Sequence, residues 1–67
     1  MTYYARFSII KDNYGLMGVE DKTFENIENL EELKEEINGF YKEKETKTVV
    51  YLLDELEDEN GNEINIE

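Results

Sequence analysis

One amphipathic stripe constrains this chain more than any other feature. Leu30, Leu33, Ile37, Phe40 and Tyr41 recur at the 3.6-residue period of a helix. Asn29, followed three residues later by Glu32, forms a capping-box pattern in which Asn stands in for Ser or Thr. Asn38-Gly39 either ends the helix with a left-handed cap or is passed over, so that the helix runs on to about residue 43. A lone helix of this kind needs a sheet to bury its stripe.

The flanking segments supply that sheet. Residues 2–10 are rich in β-formers and roughly alternate, with Tyr3, Ala5, Phe7 and Ile9 on one face. Lys11-Asp12-Asn13-Tyr14-Gly15 is a turn signal, and Leu16-Met17-Gly18-Val19 is the return strand of a hairpin. Residues 48–56 form the strongest strand, and Asn60-Gly61 is the strongest hairpin signal. Ile64-Asn65-Ile66 is then a short last strand. A two-residue loop would set Ile64 beside Glu57. A loop over 60–62 would set Ile66 beside Leu56, the better apolar pairing. The expected fold is α+β, in β-β-α-β-β order: a small antiparallel or mixed sheet with one helix on one face.

At 67 residues, the chain is expected to be one domain spanning 1–67. It has no Cys, which excludes disulfides, zinc–thiolate sites and thiol nucleophiles, and no His, the commonest general base and metal ligand. Ser8 is the lone serine and no Gly-rich phosphate loop is present. Exposed neighbouring acids do not make the buried, unequal carboxylate pair of acid–base catalysis. The chain is therefore expected to be no enzyme and to use no cofactor or metal. No apolar run approaches the roughly 20 residues of a membrane span, and residues 1–6 do not read as a signal peptide, so the expected compartment is cytoplasm.

Charge points to a partner. Eighteen acids against seven bases give a net charge of −11, which repels phosphates and disfavours nucleic acid or an anionic membrane as direct partner. The charge is blocked: residues 20–36 net −6, residues 48–67 net −7, and the two remaining segments +1 each. No Glu in 28–36 has Lys or Arg four residues later, although each such pair would add about 0.2–0.5 kcal/mol to a solvated helix. Helical i,i+4 spacing of about 5–6 Å and the roughly 6.6 Å between alternate strand residues both approach the spacing of successive phosphates. Glu28, Glu31, Glu32, Glu35, Asp54, Glu55, Glu57, Asp58 and Glu59 are thus the candidate partner-binding residues, facing a groove that is lined with Lys and Arg. An acidic surface that serves only solubility is the competing reading.

Two further patterns bear on binding. Val49-Val50-Tyr51-Leu52-Leu53 is apolar on both faces while one helix covers one face, leaving a homodimer interface or a target patch, with Tyr4, Tyr51 and Leu53 as aromatic and apolar anchors. Asp58-Glu59-Asn60-Gly61-Asn62 with Glu67 has part of an EF-hand spacing, but Leu56 falls at the first ligand position and a strand precedes it, so a tight turn explains Gly61 better.

In length, charge and aromatic–acidic composition the chain resembles small phage-encoded inhibitors of bacterial defence, the anti-CRISPR and anti-restriction proteins that act as nucleic-acid mimics. The resemblance covers the whole chain in character and no part by motif. It implies a non-enzymatic inhibitor, in host bacterial cytoplasm, of a basic nucleic-acid-binding defence protein. Locally, Tyr3-Tyr4-Ala5 leading to Asp12-Asn13-Tyr14-Gly15 and Asn29-Leu30-Glu31-Glu32-Leu33 is similar to the start of HicB-type antitoxins, without their Pro-containing segment. That implies the alternative: an antitoxin-like or regulatory module that binds through an apolar sheet face.

Overall fold

The computed structural model describes residues 1–66. Strand β1 spans Tyr3–Lys11, β2 Gly15–Phe24, helix α1 Leu30–Lys44 and β3 Val49–Asp58. The sheet is antiparallel throughout, with order β2-β1-β3. Central β1 buries Tyr3, Ala5 and Phe7, and the helix lays Leu33, Ile37 and Phe40 on that face.

An aromatic cluster joins the two layers. Phe7 is fully buried and stacks on Phe40 with ring centroids 4.5 Å apart. Tyr51 meets Phe40 edge-on at 5.5 Å, Tyr41 meets Phe7 at 5.7 Å, and Phe24 closes on Phe40 at 6.4 Å. Such pairs add about 0.5–1.5 kcal/mol each beyond burial. This resolves the helix boundary. Glycine within a helix costs about 1 kcal/mol, less than the packing of Phe40, so α1 passes through Gly39 to Lys44. At its start, Asn29 Oδ1 accepts the Glu32 N–H at 2.9 Å, as the capping pattern predicts. Leu30, expected in the buried stripe, is exposed, because it lies in the first turn at the margin of the sheet.

β3 carries a bulge that its sequence demands. Leu53 and Leu56 both face the core, yet an odd spacing of three cannot do so in a regular strand. Phe7 pairs with Leu53 and Arg6 with Glu55, so Asp54 is the extra residue that resets the alternation. Its carboxylate accepts the Ser8 hydroxyl on the opposite face. A second irregularity pairs Ile9 with Gly18 and Ile10 with Leu16, leaving Met17 over.

The expected fifth element is not a strand. Ile64 and Ile66 are half-buried against the core, but pairing is limited to a Glu57–Glu63 bridge. Neither expected register occurs. Asp58 N–H donates to the Asn62 carbonyl and Gly61 N–H to the Asp58 carbonyl, a loop over 59–61 that starts one residue early. Asp58 sets this frame by accepting the backbone N–H of both Asn60 and Asn62 at 2.9 Å. Gly61 takes the left-handed turn position, at φ 83°.

The outer edge of β3 is occupied near both ends. Glu45 accepts the Tyr51 N–H at 2.9 Å, Thr46 N–H donates to the Val49 carbonyl, and Ile64 N–H donates to the Leu56 carbonyl.

Deleting Asp54 removes the phase reset, forcing Leu53 or Leu56 outward, and is expected to abolish cooperative urea unfolding. Asp54→Ser keeps the residue count and is expected to unfold within about 1 kcal/mol of the parent. Far-UV circular dichroism through a urea titration checks both.

Candidate functional site

The nine expected acids divide between opposite faces of the two-layer body. Leu33, Ile37 and Phe40 point to the sheet, so Glu31 and Glu35 point away from it, with Glu28 exposed just before the helix and Glu32 half-buried. On β3, Glu55 pairs with Arg6 and Glu57 with Tyr4, which places both on the outer sheet face. Exposed Asp54 joins them through its Ser8 bond. Glu59 lies at the end of the molecule and accepts the Thr2 N–H. Helix acids and sheet acids are therefore brought to two surfaces rather than one.

Asp58 is a correction. It is 9% exposed and spends its carboxylate on the loop, accepting Asn62 Nδ2 as well as two backbone N–H groups. Those bonds, the Asn62 N–H foremost, hold its pKa below the usual carboxylate range. An acid so engaged is a turn cap. In the calcium reading Asp58 would be a ligand, but its carboxylate is engaged by loop N–H groups. Glu67, the twelfth position of that reading, lies outside the described residues.

Two of the three expected anchors are corrected too. Tyr51 is 9% exposed and belongs to the core, where its hydroxyl donates to Glu20 at 3.1 Å across β1. Burial, then Glu20, pushes its pKa up. Leu53 also faces the core and is half-buried. Tyr4 stands exposed on the outer face as expected. The apolar residues that β3 shows to solvent are Val50 and Leu52. A strand apolar on both faces gives no alternation to choose between the two sets. The odd Leu53–Leu56 spacing was the one available signal.

The acids of both faces are largely uncompensated. Arg6 binds Asp21 at 2.8 Å and holds its pKa down, and Lys44 lies 3.7 Å from Glu20. Among the described residues, no ion pair engages Glu28, Glu31, Glu32, Glu35, Glu55, Glu57 or Glu59. The body is also elongated. Its radius of gyration is 12.4 Å, against about 11 Å expected for a compact chain of this length. It measures 37 × 20 × 19 Å, close to the girth of a nucleic-acid duplex. No helix among the described residues is long and apolar enough to cross a membrane. Comparison with family models, curated proteins and solved structures finds no match.

The Asp58 cap carries a pH dependence. Its pKa is lower in the folded chain than the roughly 3.9 of an unfolded Asp. The cap therefore stabilises above about pH 4 and is lost as pH falls through the folded value. Asp58→Asn is expected to lower the melting temperature at pH 7, with a gap to the parent that narrows as pH falls through the folded value, as followed by thermal melts across pH.

Proposed function

We propose that this chain is a non-enzymatic inhibitor, phage-encoded in the manner of the proteins it resembles, that occupies the nucleic-acid channel of a basic bacterial defence protein in the host cytoplasm. One observation carries the reading: unpaired acids stand on two opposite faces of a body with the girth of a duplex. A duplex also shows phosphates on two sides, and a channel that clamps it lines both walls with Lys and Arg. Duplex DNA carries one charge per about 1.7 Å, so about 22 over the 37 Å length of this body. Its net −11 is half that density. Attraction of this strength steers association and weakens with salt.

The residues in these roles are Glu28, Glu31, Glu32 and Glu35 on one wall, and Asp54, Glu55 and Glu57 on the other. Glu59 stands at the end between them, and Asp58 holds the turn. The antitoxin-like reading keeps Tyr4 of its three expected anchors and would use Val50 and Leu52 in place of Tyr51 and Leu53.

The test is capture from bacterial lysate with tagged protein, with and without competing duplex DNA. The expected catch is a nucleic-acid-binding protein that duplex displaces. Two variants, Glu28→Lys/Glu31→Lys/Glu35→Lys and Glu55→Lys/Glu57→Lys, are each expected to weaken that complex at least tenfold with unchanged circular dichroism. Capture indifferent to duplex, to salt and to both variants would sink the reading.

A further inference from the structure

The outer sheet face divides into two halves. At one end Arg6 is flanked by Asp21 and Glu55, and Tyr4 by Thr23 and Glu57. At the other, Ser8 lies between Val19 and Leu52, and Ile10 between Leu16 and Val50. The one carboxylate that reaches these rows is that of Asp54, which accepts the Ser8 hydroxyl. Leu16 is 63% exposed, Leu52 52%, and Val19 and Val50 about as much, with Met17 exposed beside them. The helix covers the opposite face, and no described segment crosses this one.

We infer that this apolar end pairs face to face with the same end of a second copy of the chain, as a weak symmetric dimer. Charge selects the occupant. The strand segments that form this end, residues 8–11, 15–19 and 49–53, carry one base, Lys11, and no acid, with Asp54 at their border, whereas the whole chain nets −11. This is where two such acidic chains approach with least repulsion. A basic partner gains no attraction from it. A sheet face can also pack on its own copy, since sheets stack about 10 Å apart with interleaved side chains. A two-fold contact repeats the patch on both sides. The half-exposed apolar side chains offer on the order of 500 Å² per copy. Doubled, that is about 1,000 Å², at the lower limit for a specific interface, so the dimer is a weak one.

The inference does not rest on the acidic reading, and salt separates the two. Screening relieves repulsion between two copies, so self-association strengthens with salt while binding to a basic target weakens. Sedimentation of the full chain from about 10 μM to about 1 mM, at low and moderate salt, is the experiment. The expected result is a mass rising from monomer toward dimer with concentration, and at lower concentration when salt is added. Val19→Lys/Leu52→Lys is expected to stay monomeric, and Leu30→Lys, which alters an exposed apolar residue on the helix, to dimerise as the parent does. If the lysine pair unfolds, Val19→Thr/Leu52→Thr preserves strand propensity and is expected to weaken the dimer at least tenfold. A parent monomeric at about 1 mM overturns the inference. So does a dimer indifferent to either folded patch variant. A monomeric parent whose patch variants lose the lysate target would assign this face to that target and overturn it equally.

Discussion

The stack of Phe7 on Phe40 is the contact on which the rest depends. It joins the centre of the middle strand to the third turn of the helix, and Tyr51, Tyr41 and Phe24 gather around it. A domain of this size holds roughly 3–10 kcal/mol in total. Truncating a buried Phe removes about 3–5 of that. The position of the helix follows from this cluster, and so does the direction in which its acids point.

Those acids cost less where they are than their number suggests. Two like-charged i,i+4 pairs, Glu31–Glu35 and Glu32–Glu36, each oppose the fold by about 0.2–0.5 kcal/mol. Glu31 and Glu32 also sit in the first turn, where the helix dipole favours an anion by about 0.3–1 kcal/mol. Lys42 and Lys44 occupy the last turn, where the dipole favours cations. The two effects are of similar size, so the N-terminal half of the helix can hold a dense acidic surface with little net loss. On β3 the relief differs: Glu55 lies beside Arg6, and Asp54 is held by Ser8.

The helix, its Asn29 cap, β1, β3 and the start of β2 were readable because each rests on a local pattern, whereas residues 20–24, the second half of β2, have no apolar alternation and are held by pairing with β1. The division of residues between faces was harder to read. Val49 to Leu53 is apolar throughout, so Tyr51 and Leu53 could be assigned outward as readily as Val50 and Leu52. The aromatic partners contributed by β1 and the helix made that choice, and they lie far away in sequence. The last hairpin misled for the opposite reason. Asn60-Gly61 is a strong two-residue signal, but the Asp58 carboxylate collects two N–H groups and moves the loop one position earlier. The acids were recognisable as a group, while their separation onto two faces depended on the bulge at Asp54.

The occupied rim of β3 has a consequence for a molecule so rich in charge. An exposed strand border invites another chain to hydrogen-bond onto it and propagate a fibril. Here Glu45 and Thr46 close one end of that border, and Ile64 occupies the other. On this side, resistance to runaway stacking is built into the backbone bonding. When a cationic surface neutralises the carboxylates, and with them the repulsion that keeps copies apart, this border still offers a newcomer little to bond to. The chain can surrender its charge to a partner without β3 becoming a template.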